Sequence, residues 1–229
     1  MVAETINKQH FYVFTGYFIN FESNIIFNSM NKHYQSHLSR DEKLAPLLDS
    51  LEIIELKKRE NVCVRLCASI MSQQLSTKVA DVIYKRFLAL YGGHEPTAAQ
   101  ILETDIETLR SIGLSYAKGN YVHHVARYIV ENQVNDETLY AMTNEEIIAA
   151  LTQIKGVGRW TVEMLLMFTM GREDVFAPDD LGIQQSMIKL YGLDTTNKKA
   201  LKKTMENIAL QWSPYRTYAC LYLWKNKDK

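Results

Sequence analysis

The sequence predicts an all-α protein, and three observations support this fold class. From Asp41 onward, apolar residues recur at helical spacing almost everywhere. No stretch alternates apolar and polar residues convincingly, as a half-buried strand would. The 229 residues include only 10 glycines and 4 prolines, which argues against a loop-rich or repetitive chain. A chain of this length can form one or two compact domains with a sizeable core.

Several of the expected helices have recognisable ends. Thr143 is followed three residues later by Glu146, which is the pattern of a capping box. Ser213 and Pro214 match an N-cap residue and a proline at the first helical position. The segment after Gly158 is apolar on most sides, so it should be a central helix. The predicted helices cover residues 60–72, 77–91, 104–112, 116–132, 143–151, 159–170, 181–191, 197–210 and 213–225.

Composition excludes some classes of protein and leaves others open. The net charge is zero, so composition gives no support to nucleic-acid binding and predicts weak binding to long DNA at physiological salt. The cysteines, Cys63, Cys67 and Cys220, form no CxxC pair, so we expect reduced thiols rather than a disulfide framework or a zinc site. No apolar run is long enough to span a membrane.

The first 29 residues differ from the rest of the chain. They are aromatic and rich in asparagine, with little helical or strand period. Residues 11–21 have the apolar character of a signal-peptide core, but the leading charge is weak and no small-residue cleavage site follows. We interpret residues 1–29 as a loose extension or a misassigned start, and residues 30–229 as the folded domain.

The most informative segment is a predicted helical hairpin at about residues 143–170. Its turn contains Gly156 and Gly158, which permit backbone angles that other residues resist. Such a turn can gather amide N–H groups around an anion, and the helix that follows adds its positive N-terminus. Glycines in a plain helical hairpin would only make the turn. Because Lys155 lies between the helices and Arg-Trp-Thr follows, we favour a turn that grips a phosphate backbone.

A second segment places a carboxylate at a helix start. Pro178 should stiffen an extended approach, and Asp179 and Asp180 then open the predicted 181–191 helix. An aspartate at this position is usually only an N-cap. A rigidly held carboxylate can also stabilise positive charge or deprotonate a water molecule.

Taken together, these segments resemble a known family. The hairpin residues 154–158 and the Pro178-Asp179-Asp180 segment resemble the helix-hairpin-helix-GPD superfamily of base-excision DNA glycosylases. Within it, Gly-Val-Gly-Arg-Trp-Thr and Pro-Asp-Asp are similar to the 3-methyladenine DNA glycosylase II type. Residues 69–76 and 212–219 agree with the same family, and the resemblance covers roughly residues 44–224. It implies two helical subdomains with a cleft between them and a helix-hairpin-helix motif.

The resemblance also implies roles for individual residues. Asp180 matches the catalytic aspartate, and Asp179 would cap the helix. Gln74 matches the wedge residue that fills the gap left by a flipped nucleotide, with Leu75 as the alternative. Trp160, Met164 and Trp224 match positions near the base pocket. The expected DNA-binding hairpin residues are Lys155, Gly156, Val157, Gly158 and Thr161, and the carbonyl groups of Thr152, Ile154 and Val157 would hold a monovalent cation, sodium or potassium.

Two positions refine the expected chemistry. Bifunctional relatives carry a lysine nucleophile just after the hairpin arginine, where this chain has Trp160. No amine stands there to form a Schiff base, so the resemblance implies base release without strand cleavage. Met164 replaces an aromatic residue that the alkylation enzymes often carry, which affects the detailed preference of the pocket. Three cysteines cannot supply the four-cysteine iron–sulfur cluster of some relatives, so no cofactor is expected.

The implied function is hydrolysis of the base–sugar bond of alkylated purines in duplex DNA after base flipping, leaving an abasic site. Tryptophan rings suit a cationic base such as 3-methyladenine, because a cation–π contact stabilises it by roughly 0.5–2 kcal/mol. The alternatives are a glycosylase for uracil, mismatched thymine, hypoxanthine or an oxidised purine, a hairpin protein that only binds DNA, and an all-helical scaffold. The expected partner is damaged double-stranded DNA. The protein is expected to be a monomer and not to associate with a membrane. The protein would be cytoplasmic in a bacterium and nuclear in a eukaryote.

Overall fold

A computed structural model describes residues 33–49 and 55–227. Within these two stretches the regular secondary structure is entirely helical, which confirms the predicted fold class. The extension predicted for residues 1–29 lies outside the described residues. The helices are α1 (His33–Leu38), α2 (Ala45–Asp49), α3 (Val62–Ser72), α4 (Thr77–Ala89), α5 (Ala98–Glu103), α6 (Ile106–Ser111), α7 (Tyr116–Glu131), α8 (Asp136–Ala141), α9 (Asn144–Leu151), α10 (Arg159–Phe168), α11 (Leu181–Tyr191), α12 (Lys198–Leu210) and α13 (Arg216–Lys227).

The chain forms two compact units, in agreement with the two predicted subdomains. The first unit contains residues 58–170. In it, α3 packs against α4, α7 and α10, while α7 also contacts α5 and α6, and α9 contacts α10. Every residue from 161 to 170 is buried, so α10 is the central helix that its apolar sequence predicts.

The second unit contains residues 33–49, 55–57 and 171–227 of the described chain. Here α13 packs against α11 and α2. Its core includes Tyr34, whose ring stacks on Tyr218 with 4.0 Å between the ring centroids. The buried carboxylate of Asp41 accepts hydrogen bonds from Trp212 Nε1 at 2.8 Å and Tyr191 Oη at 2.6 Å, which ties the start of the unit to its later helices.

The last helix begins later than predicted. We expected Ser213 to be its N-cap, but α13 begins at Arg216 and the Ser213–Pro214 peptide bond is cis. Ser213 Oγ instead donates to Asp174 Oδ2 at 2.8 Å, and Asp174 Oδ1 accepts from Arg216 Nε at 2.6 Å. Burial alone would raise the pKa of Asp174, but the bonds from Arg216 and Ser213 hold it below its ordinary value.

The prediction also missed four helices of five or six residues, α1, α2, α5 and α8. They are too short to show a helical period, although α5 and α8 begin with capping boxes at Thr97 and Asn135.

The cysteines are reduced, with Cys67 and Cys220 buried and Cys63 half-buried. Across the described residues, no helix has both the length and the apolar character to cross a bilayer. No three histidine, cysteine or acidic side chains in the same residues lie together as a metal site would require.

Candidate active site and DNA-binding elements

The predicted hairpin is present and its ends are well defined. Helix α9 begins after the capping box, in which Glu146 Oε2 accepts from Thr143 N at 2.7 Å and Thr143 Oγ1 accepts from Glu146 N at 3.2 Å. The hairpin turn, residues 152–158, then leads directly into α10. Ile154 and Val157 are buried, as expected for residues that pack the two helices together.

The lack of a side chain has a different structural consequence at each of the two hairpin glycines. Gly156 has a φ of 100°, and a Cβ added there would lie 2.7 Å from Cβ of Tyr121 on α7. Gly158 has an extended backbone with φ −89° and ψ 163°, which any residue can adopt. Our expectation that both glycines are needed for unusual backbone angles is therefore wrong for Gly158. A Cβ at Gly158 would meet nothing within 4 Å, so its lack of a side chain leaves the start of α10 uncovered.

Exposure divides the other predicted hairpin residues. Lys155 and Gly158 are exposed, and Trp160 is half-buried. Val157 and Thr161 are buried, so a DNA contact at these two positions would involve the main chain. Met164 is also buried, within α10.

The three carbonyl groups expected to hold a cation all belong to the hairpin turn. The carbonyl oxygen of Ile154 accepts from Val157 N at 3.0 Å. A carbonyl oxygen has two lone pairs, so this bond leaves capacity for a cation. The oxygen donors of Thr152, Ile154 and Val157 are the ligand type that monovalent cations take, and the residues therefore fit the expected site.

The predicted wedge residues occupy the short 73–75 turn between α3 and α4. Gln74 is exposed and has a φ of 60°, a left-handed conformation uncommon for a residue other than glycine. Leu75 is half-buried, and its N–H donates to Ser72 O at 3.1 Å. Gln74 is thus the more accessible of the two candidates.

Helix α7 contacts both the hairpin turn and the 73–75 turn, which the sequence analysis did not anticipate. Near its start, Lys118 Nζ donates to the carbonyl oxygen of Met71, 2.9 Å away, and to that of Gln73. One and two turns later, Tyr121 lies against Gly156, and His124 Nδ1 donates to Lys155 O at 3.2 Å. The contacting residues are three apart, but no local motif marks an inward-facing lysine or tyrosine.

In the second unit, Asp180 is a buried carboxylate with a fixed orientation. It is 8% exposed and is the N-cap of α11. Its Oδ1 accepts from Ile183 N at 2.9 Å and from Trp224 Nε1 at 2.7 Å. These donors and the positive N-terminal end of α11 all stabilise negative charge on this side chain.

Trp224 therefore contacts the predicted catalytic residue directly. It is 2% exposed, and its indole N–H is the donor to Asp180. Gly182 makes this contact sterically feasible, because a Cβ there would lie 2.9 Å from Trp224 Cδ1 and 3.1 Å from Asp180 Oδ1. The sequence placed Trp224 near the site by resemblance, whereas the role of Gly182 depends on packing that the sequence does not display.

The neighbouring aspartate has a different position. We expected Asp179 to cap the helix, but the capping residue is Asp180. Asp179 is half exposed, and its Oδ2 accepts from Lys202 Nζ at 2.7 Å in a surface ion pair. The first carboxylate of the pair is thus a surface group and the second a buried one. The hairpin and the 73–75 turn belong to the first unit, and Asp180 and Trp224 to the second.

Comparisons with known proteins agree with these motifs. Residues 67–211 match the family described as HhH-GPD superfamily base excision DNA repair protein. The chain is 38% identical over 162 residues to DNA-3-methyladenine glycosylase 1 of Schizosaccharomyces pombe, an alignment that covers 70% of each protein.

Two solved structures are also similar. DNA-3-methyladenine glycosidase from Bacillus halodurans has a TM-score of 0.74 and 34% identity, covering 84% of this chain and 88% of that one. The 3-methyladenine DNA glycosylase of S. pombe, solved in complex with abasic DNA, has a TM-score of 0.72 and 32% identity, covering 86% of this chain and 97% of that one. This chain belongs to the HhH-GPD superfamily of base excision DNA repair proteins.

Proposed function

We propose that this protein is a monofunctional DNA glycosylase that removes alkylated purines of the 3-methyladenine type from duplex DNA. The observation that supports this most strongly is the Asp180 carboxylate, buried and held by two N–H donors at the start of a helix. The names of its relatives, which are glycosylases for 3-methyladenine, favour the same substrate class.

The proposed reaction breaks the bond between the sugar and the base. As the base departs, positive charge develops on the sugar, and a carboxylate in a site with little water stabilises that charge strongly. The same carboxylate can orient a water molecule and accept its proton as the water adds to the sugar. Because Trp224 and Ile183 hold one oxygen of Asp180, the carboxylate needs little rearrangement during the reaction.

The base must leave the helical stack before this chemistry can occur. In our proposal, the exposed Gln74 fills the space left by the flipped nucleotide. Lys155 and the uncovered start of α10 at Gly158 bind the DNA backbone without reading its sequence. A monovalent cation on the carbonyl groups of Thr152, Ile154 and Val157 would add positive charge near a phosphate.

The product is proposed to be an intact abasic strand. Position 160, just after the hairpin arginine, is a tryptophan and offers no amine for a covalent intermediate. Trp160 would instead contribute to the base pocket. The proposed partner is damaged double-stranded DNA, bound by a monomer, and the proposed reaction needs no redox cofactor.

The test is an assay of methylated duplex DNA that measures released bases and strand breaks separately. The proposal predicts free 3-methyladenine and an abasic strand that stays intact until it is treated with alkali. Release of uracil, mismatched thymine or hypoxanthine alone would identify another lesion as the substrate. Binding without release of any base would indicate a protein that only binds DNA, and immediate strand cleavage would contradict the monofunctional mechanism.

A further inference from the structure

An amine held against two main-chain carbonyl groups lies beside the 73–75 turn. Lys118 is half-buried, and its Nζ donates to the carbonyl oxygens of Met71 and Gln73. These oxygens belong to the last turn of α3 and the residue that follows it. The carbonyl groups at a helix C-terminus lack partners within the helix and have the negative end of its dipole. A lysine ammonium group from another helix donates hydrogen bonds to these carbonyl groups and places a positive charge at the negative end of the dipole.

The turn that Lys118 contacts is one that needs stabilising. Gln74 has a left-handed backbone, which side chains with a Cβ disfavour. The turn's own hydrogen bonds include Gln73 N to Ile70 O at 3.3 Å and Leu75 N to Ser72 O at 3.1 Å. The two bonds from Lys118 therefore restrain the carbonyl groups on the chain leading into Gln74.

The lysine is held in place at a cost, since burial lowers its pKa to about 8. A lysine on an exposed face of α7 would retain its hydration and its ordinary pKa. Lys118 instead directs its ammonium group to the two carbonyl oxygens. This placement indicates a specific partner rather than a solvated surface charge.

We propose that Lys118 is a positioning residue that holds the 73–75 turn in the conformation presenting Gln74 to the duplex. This inference rests on the proposed function, because it assumes that Gln74 enters the DNA. Lys118 acts through the turn and does not contact the reacting atoms. Since α7 also contacts the hairpin through Tyr121 and His124, this helix fixes both DNA-binding elements of the first unit to one rigid element.

The first test measures the turn itself in protein without DNA. Lys118→Met removes the donors but keeps an unbranched apolar side chain. The matched control Lys85→Met removes an exposed lysine of the same unit that pairs with Asp81 across one turn of α4. We expect faster hydrogen exchange at the amides of residues 73–75 in Lys118→Met but not in Lys85→Met. Unchanged exchange in Lys118→Met would overturn the proposal.

The second test is a double-mutant cycle on single-turnover base release from methylated duplex DNA. Misplacing a contacting group by about 1 Å can slow a reaction by roughly 100-fold, so we expect Lys118→Met to slow release by about 10- to 100-fold. Gln74→Ala should also slow it, and Lys118→Met in the Gln74→Ala background should cause no further loss. Losses that multiply in the double variant would overturn the proposal, because Lys118 would then act independently of Gln74.

Two further measurements distinguish failure of the role proposed for Lys118 from failure of the proposed glycosylase function. Lys118→Arg keeps a cationic donor and should retain most of the release rate, which covers the case in which Lys118→Met does not fold. If the unaltered protein releases no methylated base, the proposed function has failed. The exchange measurement then still decides whether Lys118 holds the turn.

Discussion

At the scale of single residues, the candidate site depends on how one carboxylate is held. Asp180 is both the N-cap of α11 and the acceptor for Trp224. An N-cap aspartate alone is common and indicates no chemistry. A second donor from a buried tryptophan on another helix, with Gly182 leaving room for it, is not required for capping. The arrangement therefore favours a role for Asp180 beyond starting a helix.

Removing the donor should test that role without removing the ring. Trp224→Phe keeps an aromatic side chain but deletes the Nε1–H bond to Asp180. We expect single-turnover release of methylated purine to slow by about 10-fold or more, since a hydrogen bond to a charged group contributes roughly 1.5–3 kcal/mol. Affinity for abasic DNA should change little. Release kinetics and binding titrations check both expectations.

The matched control is Tyr222→Phe, which removes a buried hydroxyl from the same helix. That hydroxyl lies within hydrogen-bonding distance of Tyr34 Oη, 3.4 Å away, so Tyr222→Phe removes this bond and leaves the Trp224 donor to Asp180 in place. Equal rates in Trp224→Phe and Tyr222→Phe would show that the bond to Asp180 does not contribute to catalysis.

At the scale of elements, the two hairpin glycines allow folding and DNA binding to be separated. Gly156→Ala places a Cβ against Tyr121 at a left-handed backbone, which costs at least about 1–2 kcal/mol of stability. Gly158→Ala meets no protein atom and has ordinary angles, so it should cost less than about 1 kcal/mol. We expect both variants to bind duplex DNA more weakly, but only Gly156→Ala to unfold at clearly lower denaturant concentration.

Denaturant titration and DNA-binding titration of the two variants provide the measurement. The informative variant is Gly158→Ala, because the added methyl group meets no atom of the protein within 4 Å. It can obstruct only a molecule that approaches the start of α10 from outside. Wild-type affinity in Gly158→Ala would argue against close approach of a phosphate at the start of α10.

The elements that could be predicted from the sequence are those whose signals are local. The Thr143 capping box, the apolar faces of α10 and the hairpin turn all depend on residues within a few positions of each other. The start of α13 could not be predicted, because its first residue bonds to Asp174, which lies 42 positions earlier. Lys118 was missed for the same reason, since its partners lie 45 and 47 positions away.

The candidate site likewise combines residues that the sequence identifies with contacts that only the fold shows. The resemblance identified Asp180 and Trp224 separately, but only the fold brings them within 2.7 Å of each other. The resemblance gave the catalytic role to Asp180, the second of two adjacent aspartates, and left the helix cap to Asp179. Which of them caps the helix is decided by the backbone angles at the junction, and the pattern of residues does not contain these.

At the scale of the whole molecule, the zero net charge limits how DNA can be recognised. With no net positive charge, the long-range attraction of the protein to DNA should be weak, so affinity should depend largely on short-range contacts. In the proposed function, the hairpin and the 73–75 turn supply such contacts, and Asp180 acts on the flipped nucleotide. Their combined effect should be strongest at a lesion, because a damaged pair is the least costly to open.

The central claim is that Asp180, and not its neighbour, performs the chemistry. The most direct measurement is single-turnover release of 3-methyladenine by Asp180→Asn and Asp179→Asn at saturating protein. Asparagine caps a helix about as well as aspartate, so both variants should fold and bind abasic DNA normally. The account predicts a loss of at least about 100-fold for Asp180→Asn and a rate close to wild type for Asp179→Asn. A wild-type rate in Asp180→Asn, or equal losses in the two variants, would contradict it.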